Sequence, residues 1–164
     1  MKLTILHKLK NKLILIFLII SLVVNTFFIC FYFLNFKELK TNQFEKALVV
    51  EVIDGDTIIL EDGRHIRYLG IDTPELNESW GIEATNRNKE LVEGKVVELQ
   101  KGDRDIDEYN RYLRYVYVDG VFVNAELISE GFAESFIFDP LDKYSQVLVQ
   151  LEQYAKLKKV GIWK

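Results

Sequence analysis

Cysteine is almost missing from this chain: Cys30 is the only thiol in 164 residues. A disulfide within the chain and any zinc site built on several cysteines are therefore excluded. Positive charge is scarce over the larger part of the chain. Residues 47–164 carry 14 Lys and Arg against 23 Asp and Glu, a net of −9, and the whole chain is milder at −4 because seven lysines lie upstream. A bare charge argument counts against nucleic acid, whose phosphates call for a basic face, and favours a bound cation. Acid is absent from residues 1–12, which hold Lys2, Lys8, Lys10 and Lys12. Charge of either sign is absent from residues 13–34. The length suffices for one domain with a real core.

The uncharged run, LILIFLIISLVVNTFFICFYFL, is long enough to cross a bilayer as a helix. A cleaved signal peptide is the alternative. Its apolar region would be unusually long, and no small-x-small cleavage site follows it. Phe28 and Ile29 precede Cys30, where a lipoprotein site wants a small residue. The expectation is an uncleaved transmembrane signal-anchor over 13–34, with 1–12 as a cytoplasmic segment, 35–46 as a linker and 47–164 as the domain. The lysines ahead of the span place that domain outside the cytoplasm. Secretion after signal cleavage is kept as the alternative localisation.

Apolar alternation and turn residues divide the domain. Ala47–Ile53 reads as a first strand, Thr57–Leu60 as a second and His65–Ile71 as a third, with Asp62-Gly63 as a hairpin signal between the last two. Proline in Asp72-Thr73-Pro74-Glu75 ends the third strand. Gly81–Val92 reads as an amphipathic helix stopped at Gly94, and Lys95–Gln100 as a fourth strand. Lys101–Asn110 reads as a polar loop and Arg111–Val118 as a strand turning at Asp119-Gly120 into Val121–Val123. Asn124 is a candidate cap for a helix over Ala125–Glu130. Phe132–Phe138 reads as extended, and Pro140–Lys159 as a long helix with Leu141, Leu148, Leu151 and Leu157 on its apolar face. Trp163 is expected to pack back on the core. Five strands with a helix between the third and fourth predict an α+β, mainly β domain: an OB-fold five-stranded barrel with about three helices.

The chemistry concentrates in Val50–Glu75. A hairpin brings its ends together, so Asp54 and Asp56 before it meet Asp72 and Glu75 after it. Four carboxylates in one place repel unless something positive sits among them. Oxygen donors of this kind suit a hard cation such as calcium. Arg67 adds a charged fork that can hold a phosphate at two points. Metal, carboxylate base and arginine together point to phosphodiester chemistry.

In this order the motifs resemble the staphylococcal nuclease (thermonuclease, micrococcal nuclease) family. The pieces are VIDGDT at 52–57, Arg67 followed by DTPE at 72–75, G-x-E-A at 81–84, DEYNR at 107–111 leading into YVYVDG, VN at 123–124 and the terminal GIW. The resemblance covers residues 47–164 and leaves the apolar span untouched. It implies a calcium-dependent nuclease on an OB-fold, cleaving DNA and RNA at the P–O5′ bond to leave 3′-phosphate ends; separately, the chain is expected to be a monomer. It further implies Asp56, Asp72 and the main-chain carbonyl of Thr73 as calcium ligands, Asp54 as an outer acid, Glu75 as general base, and Arg67 and Arg111 as phosphate clamps. Tyr109, Phe136 and Phe138 are implied as substrate contacts.

The chain departs from the family pattern at several of these places. Asn110 and Glu108 flank Tyr109 where the family has glycine and often lysine. Phe136 and Phe138 replace a pair of tyrosines, so they can stack on a base but cannot hydrogen-bond a phosphate. A short acidic Leu76-Asn77-Glu78-Ser79 replaces a basic loop. Two other readings stand beside the nuclease: a catalytically inactive nucleic-acid- or protein-binding module, and a calcium-stabilised ectodomain that binds no nucleic acid.

Overall fold

The computed structural model describes Ile16, residues 19–31 and residues 44–164. Residues 19–31 are helical, and Thr26 within them returns its hydroxyl to the carbonyls of Leu22 and Val23. Among the described residues no helix is long and apolar enough to cross a membrane. The span expected over 13–34 runs beyond the described residues at both ends, and the segment before it and most of the linker lie outside them.

Residues 44–164 form one compact unit. Its chain order is β1 (Glu45–Val52), β2 (Thr57–Leu60), β3 (His65–Tyr68), β4 (Ile71–Asp72), α1 (Gly81–Val92), β5 (Val96–Ile106), β6 (Tyr112–Val118), β7 (Val121–Phe122), α2 (Val123–Ser129), β8 (Glu134–Ser135) and α3 (Ser145–Lys158). A 3₁₀ turn over Gly161–Trp163 follows. Antiparallel neighbours run β3-β2-β1-β5-β6, and β3 pairs β6 in parallel. That last ladder closes a five-stranded mixed barrel and removes both sheet edges. β7 extends β6, and β4 pairs with β8 as a separate two-stranded piece.

Alternation puts Val49, Ile58, Leu60, Ile66, Val97 and Leu99 inside, all essentially fully buried. Burying each such side chain is worth roughly 1.5–3 kcal/mol against leaving it exposed. α1 delivers Val92 to this core, α2 delivers Leu127 and Ile128, and α3 delivers Leu148.

The hairpin, the extent of α1 and the turn at Asp119-Gly120 match expectation. Several boundaries are corrected. The third strand does not run to Ile71: the chain turns at Leu69-Gly70, and Ile71–Asp72 leave the barrel to pair with Glu134–Ser135. The polar loop expected from Lys101 is strand as far as Ile106, because β6 supplies partners up to Lys101 and again at Ile106 across a register shift. Asn124 caps nothing. It lies buried inside α2, accepting from the Val116 amide at 2.9 Å and donating to the Leu69 carbonyl at 2.8 Å. The last helix starts at Ser145, and Leu141 and Leu157 are 91% and 84% exposed, because Asp139–Tyr144 fold as turns and Leu157 faces away from the barrel. Trp163 is half-buried, with the Lys156 ammonium 4.3 Å from its ring centre.

Candidate active site

Two turns build the site. The first is Asp54-Gly55-Asp56 between β1 and β2. The Asp54 side chain accepts from the Asp56 amide at 3.0 Å, and the Ile53 amide reaches the Thr57 carbonyl at 2.9 Å. Gly55 is required by a neighbour: a Cβ there would lie 2.6 Å from the Thr73 hydroxyl. The second is Asp72-Thr73-Pro74-Glu75, which therefore packs directly on the first. Its Thr73 amide and hydroxyl both donate to Asp56 Oδ2, at 2.9 and 3.1 Å. α1 braces the pair from behind. Asn88, fully buried, donates to the Asp54 carbonyl at 3.0 Å and accepts from the Tyr68 hydroxyl at 2.9 Å.

Asp54, Asp56, Arg67, Asp72, Thr73, Glu75 and Arg111 line one cavity of about 120 Å³. Every residue expected to act on metal, water or phosphate is thus in one place, and the expected meeting of four carboxylates at one end of the hairpin is what the chain does. Arg67 organises them. Its Nη1 lies 2.8 Å from Asp56 Oδ2 and donates to the Ile71 carbonyl at 2.9 Å and the Tyr68 carbonyl at 3.1 Å, while Nη2 donates to Asp72. Asp56 is 4% exposed. Burial pushes its carboxyl up to about 7, against the pull of Arg67 and with a further push from the Asp54 charge. Glu75 is exposed, and among the described residues no donor reaches its carboxylate; its amide donates to Glu78 Oε2 at 2.9 Å.

Arg111 enters from the start of β6. Asp107, four residues earlier, accepts from the Arg111 amide at 2.9 Å and from its Nε at 2.8 Å. Burial pushes the Asp107 carboxyl up, but the Arg111 amide and guanidinium and the Tyr109 amide outweigh it and hold it below its ordinary value. Asn110 takes the left-handed backbone, φ 63°, that this tight turn needs.

A second cavity, of about 270 Å³, adjoins the first and shares Arg67 and Arg111 with it. Tyr109, Phe136 and Phe138 line it, with Phe136 and Phe138 edge to face at 4.7 Å between ring centres. All three rings are exposed, as surfaces that stack on bases must be. The three expected substrate contacts therefore share one wall system beside the acidic cavity.

Among the described residues no three His, Cys, Asp or Glu side chains form a metal-holding group. A cation here would rest on two carboxylates completed by main-chain and water oxygens, an irregular shell that calcium tolerates better than magnesium. The donor set fits such an ion: it is all oxygen, it carries the buried Asp56, and among the described residues the cation bridging Asp56 and Asp72 is Arg67.

Sequence reasoning passed over Asp107 and Asn88. The i, i+4 spacing of Asp107 and Arg111 across a turn was a usable signal. Nothing local marks Asn88, whose partners lie 20 and 34 residues away.

Comparison with known proteins bears on the same residues. The model for "Staphylococcal nuclease homologue" matches residues 65–164, which include Arg67, Asp72, Glu75 and Arg111. Endonuclease YncB of Bacillus subtilis (strain 168) is 44% identical over 122 residues, 68% of this chain and 58% of that protein. The SPbeta prophage-derived endonuclease YokF of the same organism is 41% identical over 122 residues, 68% of this chain and 41% of that protein. The chain thus spans about half the length of these two relatives. A thermonuclease of Staphylococcus intermedius is 33% identical over 128 residues, 73% of this chain and 76% of that protein. With a family model over most of the folded unit and a thermonuclease aligned over three quarters of its length, the chain belongs to the staphylococcal nuclease family.

Proposed function

We propose that this chain is a membrane-anchored, calcium-dependent nuclease that hydrolyses phosphodiester bonds of DNA and RNA and leaves 3′-phosphate ends. The observation that carries the reading is the joining of two cavities at Arg67 and Arg111: one holds four carboxylates, the other three exposed aromatic rings. The barrel's strand order and its parallel closing pair support an OB-fold reading.

Each residue has a task set by its surroundings. Glu75, exposed and without a donor among the described residues, accepts the proton of a water as that water's oxygen attacks phosphorus. The P–O5′ bond breaks, the departing oxygen takes a proton from solvent, and the phosphate stays on the 3′ side. Arg111, aimed by Asp107, and Arg67, anchored by two carbonyls, meet the charge that grows on the phosphoryl oxygens. One such preorganised donor is worth about 10²–10³ in rate. Asp56, Asp72 and the Thr73 carbonyl would hold calcium, with Asp54 behind them. Bound there, the ion supplies positive charge beside the reacting phosphate.

The uncharged stretch 13–34 and the four lysines before it support a single-pass anchor with the folded unit outside the cytoplasm. Retention of the chain in carbonate-washed membranes tests the anchor; recovery in the soluble fraction would remove it. The function is tested by incubating the 164-residue chain with single- and double-stranded DNA and RNA in calcium, magnesium or EDTA, beside Arg67→Ala and Glu75→Ala. Calcium-dependent cleavage to 3′-phosphate ends that collapses in both variants is expected. Intact nucleic acid in calcium, from a folded protein, would refute the reading.

A further inference from the structure

Residues 44–164 contain six arginines among an excess of acid. Five are paired. Arg64 meets Glu45 and Asp62, Arg67 meets Asp56 and Asp72, Arg87 meets Glu130, Arg111 meets Asp107 and Arg114 meets Asp105. Arg104 is the exception: among the described residues no carboxylate lies within ion-pair distance of it. It is exposed, in the interrupted part of the β5–β6 ladder between Lys101 and Ile106. Its guanidinium carbon lies 6.0 Å from the centre of the Phe138 ring.

An unpaired surface arginine is ordinarily a solvated one. Its place sets this one apart. Arg104 lines the aromatic cavity together with Phe136, Phe138, Tyr109, Arg67 and Arg111. Of the three arginines there, Arg67 and Arg111 are each offset by carboxylates of their own. Glu108 faces the same cavity. Asp103, Asp139 and Asp142 line an adjoining cavity with Arg104, yet none of them pairs with it, so a polyanion entering the aromatic cavity meets one arginine with no carboxylate partner among the described residues, set against an aromatic face. An aromatic surface bordered by cations is how single strands are held without reading their sequence.

We propose that Arg104 is a second phosphate clamp. With the scissile phosphate between Arg67 and Arg111 and a base on the aromatic wall, Arg104 binds the neighbouring phosphate of the same strand. The chain then favours substrates with at least two successive phosphodiesters. The inference rests on the nuclease reading for the location of the scissile phosphate, and its test is a binding measurement that does not need cleavage.

The 164-residue chain in calcium is titrated against two fluorescein-labelled probes, a phosphorothioate hexathymidylate and a dithymidine with a single phosphorothioate linkage, over a series of salt concentrations. Arg104→Ala is expected to weaken hexamer binding about tenfold and to reduce the salt slope by about 0.7, one phosphate contact on a single strand. It leaves the dithymidine within twofold. Arg104→Lys keeps the slope with part of the affinity. Lys89→Ala, the same charge change on the exposed face of α1, leaves both probes unchanged. Equal hexamer binding by Arg104→Ala and the unaltered chain, an equal loss on both probes, an equal loss in Lys89→Ala, or no hexamer binding by the unaltered chain would each overturn the clamp. Hexamer binding that depends on Arg104, with no cleavage of ordinary DNA in calcium, would overturn the nuclease reading and leave the clamp standing.

Discussion

The guanidinium of Arg67 stands 2.8 Å from the carboxylate of Asp56, with both side chains nearly withdrawn from water, and its other nitrogen reaches Asp72. Removing one partner of a buried pair typically costs about 3–5 kcal/mol, and here Asp56, already pushed up to about 7 by burial, takes up a proton once Arg67 is gone, which holds the loss to the lower part of that range. In EDTA, Arg67→Ala is therefore expected to lose stability on that order in urea denaturation. Calcium is expected to restore part of the loss, because a dication between Asp56 and Asp72 replaces the missing charge. Equal losses with and without calcium would place the ion elsewhere.

Glu75 predicts the opposite pattern. Its side chain is exposed and accepts no hydrogen bond among the described residues, so Glu75→Gln is expected to change stability by less than about 0.5 kcal/mol. Nuclease turnover is expected to fall by about 10²-fold or more, as when a general base is lost. A variant as unstable as it is inactive would remove Glu75 from that role.

Asp107 aims Arg111 without facing the phosphate itself. Asp107→Asn keeps the shape and halves the hold, and a misaimed catalytic group costs up to about 10²-fold in rate. The pH dependence has a definite sign. The Asp107 carboxyl is held below its ordinary value in the folded chain, so its stabilisation is present above the unfolded value, near 4, and disappears as pH falls through the folded one. The stability difference between the unaltered chain and Asp107→Asn is expected to be constant at neutral pH and to close below about pH 4.

Gly81 starts α1 directly against the turn that carries Glu75: a Cβ there would lie 1.8 Å from the Glu75 carbonyl oxygen. Gly81→Ala must push that turn away. Overpacking of this kind costs about 1–3 kcal/mol, and here the displaced segment carries Glu75. Activity is expected to fall more than stability alone explains, with measurable loss at temperatures where the variant remains folded.

Calcium at a hundred times its dissociation constant is expected to stabilise the chain by about 2.7 kcal/mol. Thermal melting in calcium and in EDTA measures the shift. Asp72→Ala is expected to abolish it, and a shift that survives would exclude Asp72 as a ligand.

The hairpin and the charge of its ends were legible because they depend on neighbours in the chain. Asp62-Gly63 makes the turn, the residues of β2 and β3 alternate, and the two acidic clusters meet because a hairpin returns to its origin. Those are local rules, and they suffice to bring Asp54, Asp56, Asp72 and Glu75 together. The misread elements have distant causes. β5 runs through polar residues because β6 offers it a ladder. Asn124 is buried because β6 and the turn at Leu69-Gly70 supply it with partners.

The sequence by itself determined the barrel's apolar alternation, the acidic pair of turns, and the arginines and aromatics in their order along the chain. Only the tertiary structure decided which of the six arginines are spoken for. Arg111 is held by Asp107, Arg114 by Asp105, and Arg104 by no carboxylate among the described residues, though Arg104 and Arg111 are seven residues apart in the same charged stretch. Ion pairing depends on separation in space to within a few ångströms. The closing of β3 against β6 sets those separations, and composition does not.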